Sequence, residues 1–204
     1  STHLIMKNGV LTLAPLTFDM AGGTLTSTIR LDGSGRTGKN AIRATAKVNA
    51  RRLRIKDLLP AVEGLQASVG HINGDASLSA TGNSIATLLA SSNGEVRTLI
   101  NQGTVSKLLL EKMGLNIGNI VLATLFGDRQ VQINCMATDF AVTDGLMRSR
   151  LFVVDTETAV IRVDGTVSLD NETIDLTIRP QTKGIRIFSL RAPLYVRGPF
   201  KQPA

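Results

Sequence analysis

The sequence predicts a mainly β protein: an antiparallel meander sheet with one apolar face, β-groove or half-barrel-like, with about three short helices in its middle at residues 84–126. Three observations carry this. Apolar and polar residues alternate with period two through most of the chain. Asn-Gly and Asp-Gly pairs, which readily take the positive φ of tight hairpins, punctuate the alternating stretches. The long uninterrupted Val/Ile/Leu runs of a sheet buried on both sides are missing, which argues against a doubly wound α/β fold.

The clearest alternation starts at Ile161. Ile161, Val163, Val167 and Leu169 fall on one parity and Arg162, Asp164, Thr166 and Ser168 on the other. Ile174, Leu176 and Ile178 then oppose Asp175, Thr177 and Arg179. Successive strand side chains point to opposite faces, so each segment has one apolar and one wet side. Leu25, Ile29 and Leu31 repeat the pattern, as do Ala44 to Ala50, Ile72 to Ala80, and Val131, Ile133 and Cys135. Turns are expected at Asn8-Gly9, Asp32-Gly33, Asn73-Gly74, Asp144-Gly145 and Asp170-Asn171, and a bend or bulge at Asp164-Gly165 inside one strand.

Two places break the rhythm. Ser84 is placed to cap a helix carrying Ile85, Leu88 and Leu89, stopped by Asn93-Gly94. Thr104 would cap a second, with Val105, Leu108, Leu109 and Met113 inward. A third would run from Asn116 with Ile117, Ile120, Val121, Thr124 and Leu125 on one stripe. The organisation expected is a single β-rich domain over 1–204, with two strand units, 1–80 and 130–204, around a helical insert at 84–126. Leu4 to Gly9 resembles Phe140 to Gly145. Either a repeated unit or the shared chemistry of hairpin turns accounts for that likeness.

Composition excludes several functions. The chain has 204 residues, one Cys, two His and seven aromatics, none of them Trp. One cysteine and two distant histidines make neither a disulfide nor a zinc site, so no metal and no cofactor is expected. So few rings argue against base stacking and hence against nucleic acid. The 23 Lys and Arg exceed the 16 Asp and Glu, giving a net charge of +7. That excess reads as mostly scattered, with one dense run at Arg51, Arg52, Arg54 and Lys56. The run fits either phospholipid headgroups at a membrane or a solvated strand edge. No stretch approaches the length of a membrane-spanning helix, and the chain opens directly in a strand-like segment. It is therefore read as part of a longer protein whose targeting segment precedes Ser1.

Gly33-Ser-Gly35-Arg-Thr-Gly38-Lys39-Asn40 satisfies two phosphate-loop patterns. A phosphate loop opens a helix, however, and Ala41 to Ala50 alternate like a strand. Asn40 also lacks the hydroxyl a magnesium ion would need. A hairpin loop is the better reading. Cys135 is expected as a packed thiol on the apolar parity. His3 and His71 lack triad partners, and Asp139, Asp144, Asp155 and Glu157 are ordinary hairpin carboxylates. No enzyme signature is present.

From residue 113 a specific series of short strings appears in order. It runs Met113-Gly-Leu-Asn116, Gln132-Ile-Asn-Cys135, Thr138-Asp-Phe140, Asp144-Gly-Leu-Met147 and Asp155-Thr156, then Val163-Asp-Gly165, Ile174-Asp-Leu176, Arg179-Pro180 and Lys183, and closes on Ser189-Leu-Arg191-Ala-Pro193 and Val196-Arg-Gly198. The series resembles the C-terminal region of the AsmA-like proteins of Gram-negative bacteria, most strongly over Leu88 to Ala204. Met136, Val163-Asp164-Gly165 and Pro199 depart from the usual pattern. The resemblance implies a periplasmic protein, attached to the inner membrane by a segment upstream of Ser1, that supports outer-membrane biogenesis, with relatives that include bridge-like lipid carriers. It implies phospholipid acyl chains as ligand and other envelope proteins as partners. On this reading Ile161, Val163, Val167, Leu169, Ile174, Leu176 and Ile178 contact lipid. The same apolar face would equally serve a closed β-sandwich core, or a scaffold that carries no lipid.

Overall fold

The computed structural model describes residues 3–35, 41–54, 57, 70–105, 125, 131–184 and 192–200. Within them lie β1 (His3–Lys7), β2 (Val10–Met20), β3 (Gly23–Asp32), β4 (Ile42–Arg54), β5 (His71–Gly82), α1 (Ile85–Ala90), β6 (Asn93–Val105), β7 (Val131–Thr143), β8 (Leu146–Thr156), β9 (Ala159–Ser168), β10 (Thr173–Thr182) and β11 (Leu194–Pro199). Each strand pairs only with its neighbours in the chain, always antiparallel, in one open eleven-stranded sheet with β1 and β11 at its edges. At about 4.8 Å per strand the sheet is about 48 Å across. The meander is what the turn chemistry predicts.

The hairpin turns follow local backbone preference. Asn8 and Gly9 take φ 52° and 75°, and Asp144 and Gly145 take 45° and 70°. Ala21 and Gly22 take the same pair of signs, 49° and 68°, with a residue that announces no turn. The likeness between Leu4–Gly9 and Phe140–Gly145 is therefore matched by a third hairpin of different sequence. Asn73-Gly74 corrects the turn expectation, because both residues lie inside β5. There the Asn73 side-chain oxygen accepts the Arg52 N–H at 3.0 Å, so the asparagine serves an irregularity in the next strand.

Four irregularities organise the sheet. The apolar parity of β2 runs Leu11, Leu13, then Leu16, Phe18, Met20, and the β2–β3 register shifts by one residue between Leu13 and Leu16. In β4 the parity runs Ala44 to Ala50 and resumes at Leu53, with the shift at Ala50/Leu53 and Arg52 at φ 56°. In β7 it passes from Ile133 to Met136 across another shift. In β8 it passes from Met147 to Phe152 and Val154, and Arg150 is the extra residue against both β7 and β9. Each β-bulge inserts one residue and would otherwise turn every later side chain to the wrong face. Here each bulge coincides with a parity switch in the sequence, so apolar side chains return to the same face.

The expected bulge at Asp164-Gly165 thus falls in the partner strand. β9 runs unbroken through Gly165, whose φ is 142° and whose missing side chain admits the Asp175 carbonyl. Gly94 does the same for the Ser77 carbonyl.

The helix expectation holds at one place. Ser84 caps α1, accepting the Thr87 N–H at 3.2 Å while Thr87 Oγ1 accepts the Ser84 N–H at 3.0 Å, a reciprocal capping box. Asn93-Gly94 opens β6. The second expected helix is corrected at its start: Thr104 and Val105 are ladder residues paired with Gln132 and Val131. Both are β-branched and fit a strand as readily as a cap. The rest of that helix and all of the third except Leu125 lie outside the described residues. The insert at 84–126 therefore contains one helix and strand β6 among the described residues.

Replacing Gly94 or Gly165 by Ala adds a Cβ at positive φ against a backbone carbonyl. Each variant is expected to lose at least about 2 kcal/mol in urea denaturation. Gly184→Ala, with open space around the position, should stay within about 0.5 kcal/mol of the parent.

Candidate functional site

The register carries one apolar face across the whole sheet. Residues paired across strands share a face, and the rows can be followed strand by strand. One row runs Phe18–Leu25–Ala50–Gly74–Thr98–Thr138–Phe152. Another begins Met6–Leu11–Leu31–Ala44–Ala80. A third, at the far side, runs Val154–Ile161–Pro180. Among the described residues no second sheet lies on this face.

Cover is uneven. All nine of the most buried hydrophobic side chains lie on the apolar face, and eight of them belong to β7–β11. Ile161, Val163, Ile174, Ile178 and Val196 form one cluster, each at most 8% exposed, with Leu125, Phe152, Val154, Val167, Leu176 and Leu194 packed around it. Phe140 meets Phe152 edge-on at 5.9 Å between centroids. At the other end of the same face Leu4 is 65% exposed, Met6 74% and Phe18 51%, and Met20 and Ile42 are also open.

Six of the seven residues expected to contact lipid therefore share the apolar face, Ile161, Val163, Val167, Ile174, Leu176 and Ile178. They sit in its most covered region. Leu169 lies in the β9–β10 turn, where its N–H donates to Gly145 O at 2.8 Å. The open residues of β1–β4 were not singled out in the sequence. Their signal was present in Leu11, Leu13, Leu16 and Phe18, but the change of parity at Ala14-Pro15 hides the stripe from a strict period-two search.

The opposite face is polar and laced with ion pairs between strands. Arg51 meets Asp75 at 2.8 Å, Arg197 meets Asp175 at 2.9 Å, and Arg179 pairs with Asp164. The bulged Arg150 reaches Asp139 on β7 at 2.5 Å and Glu95 on β6 at 2.9 Å, and Arg97 joins the same group. The hydrogen bond from Arg150 holds the Glu95 carboxyl below its usual range, and the Asp139 and Glu95 carboxylates push the Arg150 guanidinium up. Lys183 lowers Asp155 most, helped by Asn134. Three of the four hairpin carboxylates thus hold structural partners: Asp139 meets Arg150, Asp155 meets Lys183, and Asp144 accepts from Asn93.

Cys135 is corrected. The shift between Ile133 and Cys135 pairs it with Asp155 and Asn101, on the polar face and half-buried. The dense basic run sits in β4, the fourth strand of eleven, so it does not guard a sheet edge. Arg51 pairs with Asp75, and Arg54 pairs with Asp57 at 2.6 Å. Lys56 lies outside the described residues. Gly33, Ser34 and Gly35 leave β3, and the next element among the described residues is strand β4 from Ile42. Residues 36–40 of that motif are outside the described residues. No cluster of metal-ligand type occurs among the described residues.

A carboxylate with a lowered pKa stabilises the fold above its unfolded value, near 3.8 for Asp155, and loses that contribution as pH falls through its folded value. Asp155→Asn should lower the urea midpoint near neutral pH. Parent and variant midpoints should converge as the pH falls below the folded-state value of Asp155.

Comparison with known proteins agrees with this architecture. The model of the AsmA family matches residues 1–152. This match includes the N-terminal half, where the string resemblance was weaker. AsmA family protein YhjG of Escherichia coli (strain K12) is 48% identical over 203 residues, covering 100% of this chain and 29% of the relative. The chain thus spans less than a third of that protein. No solved structure gives a significant match. A match over most of the chain, together with close identity along its whole length, shows that the chain belongs to the AsmA family.

Proposed function

We propose that this chain is a periplasmic, non-enzymatic segment of an AsmA family protein that supports outer-membrane biogenesis by sheltering phospholipid acyl chains along its apolar face, between the inner and outer membranes. The observation that carries the reading is the mainly apolar face of a single sheet, continuous across its strands and kept in phase through four bulges. A core closed by a second sheet would hide that face, and the β1–β4 end leaves it open.

The energetics favour such a surface. A methylene taken from water into apolar surroundings contributes about 0.8 kcal/mol, so a 16-carbon tail exposed to water costs on the order of 13 kcal/mol. A face built mostly of Ala, Val, Leu and Ile, with a few Thr and Ser among them, offsets much of that cost along the sheet. Its central rows are mostly small side chains (Ala44, Ala46, Ala50, Gly74, Ala76 and Gly94), which leave few deep wells to hold a chain in place. Headgroups would remain in water beyond the strand ends. Attachment to the inner membrane, through a segment outside this chain, belongs to the same proposal. No helix among the described residues is long and apolar enough to cross a membrane.

A second reading rests on the covered end. The cluster around Ile161 and Val196, with Leu125 packed on it, is built like a permanent core. An envelope scaffold that binds other proteins and carries no lipid would need no more than that.

Photo-crosslinking residues placed in cells at Phe18, Ala46 and Leu176 test the two. Lipid adducts at these positions, and none at Thr26 or Arg162 on the polar face, are expected. Protein adducts alone, under conditions where a known lipid-transfer protein captures lipid, would establish the scaffold instead.

A further inference from the structure

Among the hydroxyls on the apolar face, Ser149 and Thr156 serve the fold. Ser149 Oγ donates to Val163 O at 3.1 Å, and Thr156 Oγ1 donates to Ala159 O at 2.8 Å. Ser27, Thr98 and Thr138 share that face by register, and their side chains make no hydrogen bond among the described residues. Ser27 is 8% exposed and Thr138 9%, and Thr98 is half-buried. A hydroxyl withdrawn from water without a partner costs stability, and Val would fill the place of a Thr in a strand at no such cost.

Thr98 and Thr138 face each other across the interior strands β6 and β7. Beyond Thr98 the same row continues through Gly74 to Ala50, and Leu25 and Phe152 flank it at its two ends. The rows on either side carry longer side chains at most positions, Ile72, Ile100 and Met136 on one and Val96 and Phe140 on the other. Ala50, Gly74, Thr98 and Thr138 thus floor a trough three strand spacings long, about 14 Å, with two hydroxyls at one end. Ser27 has no such access, because Leu16 and Val48 beside it and Leu25 and Ile29 along its strand are all longer.

An acyl chain alone satisfies neither hydroxyl, since hydrocarbon accepts no hydrogen bond. The ester that joins an acyl chain to glycerol does, because its carbonyl oxygen is an acceptor set directly beside the apolar tail. We propose that the Thr98 and Thr138 hydroxyls donate to the acyl-ester carbonyl oxygens of a diacyl lipid whose glycerol end rests on Ala50 and Gly74. The ligand of this site is defined by its ester as well as by its tails. Three residues, about 10 Å, separate Gly74 from the strand end at His71, so the headgroup extends toward water there. The inference rests on the carrier reading above and adds to it a polar requirement that tails alone do not have.

The test loads the full-length protein from an equimolar mixture of diester phosphatidylethanolamine and its diether analogue, matched in headgroup and chain length, and counts bound lipid by mass spectrometry. The parent is expected to enrich the diester about three- to tenfold, the discrimination that one net hydrogen bond supplies. Thr98→Val with Thr138→Val should bring the two lipids within about 1.5-fold of each other, whereas Thr98→Ser with Thr138→Ser should keep the enrichment. Thr28→Val with Thr45→Val, on the polar face, should leave it unchanged. Because the Thr138 hydroxyl has no partner in the fold, Thr138→Val should hold or raise the urea midpoint. A lowered midpoint, equal binding of both lipids by the parent, or an enrichment that survives both valines would overturn the ester site and leave the carrier reading in place. Capture of neither lipid would overturn both.

Discussion

Phase is the constraint on which this structure depends. A one-layer antiparallel sheet has only two faces, and the backbone ladder assigns each side chain to one of them by counting residues. Eleven strands share that count, so an uncorrected slip anywhere would wet the apolar side chains of every later strand. The bulges at Ala14-Pro15, Arg52, Asn134 and Arg150 are slips of this kind, and each is met by a change of parity in the sequence. A bulge also increases local twist, so a long sheet can bend without giving up its two-faced character.

The polar face complements this. Exposed ion pairs contribute little individually, about 0.2–1 kcal/mol each. Their placement is still informative, because Arg97, Arg150, Arg179 and Arg197 pair with carboxylates on neighbouring or next-neighbouring strands. In β5–β11 every strand carboxylate is ion-paired and Arg148 and Arg162 are the cations without an ion pair among the described residues, under the region where the apolar face is best covered. In β1–β4 four of seven cations, Lys7, Arg43, Lys47 and Arg52, make no ion pair among the described residues, and the apolar face is open. Charge balance and apolar cover therefore change together along the sheet, and family membership does not require that coincidence.

Much of this was legible in the residues. The alternation in β9 and β10, the turns at Asn8-Gly9 and Asp144-Gly145, and the Ser84 cap are local choices made within a few residues, and the chain makes them as its chemistry indicates. The failures share a cause. Asn73-Gly74 has turn chemistry and lies in a strand, because its side chain completes the bulge at Arg52. Thr104 suits a cap and continues a ladder. Cys135 follows the apolar parity of Val131 and Ile133, and a one-residue shift places it with Asp155.

The amino-acid order alone determined that the chain forms strands, where most of them turn, that each has one oily side, and which family it belongs to. Those properties depend on backbone preference and on neighbours two to four residues away. Only the assembled sheet decided which face Cys135 occupies, where Arg150 reaches, which part of the apolar surface is covered, and where unpaired charge collects. A bulge exists only relative to the strand beside it, and burial and ion pairing depend on residues brought together across the ladder.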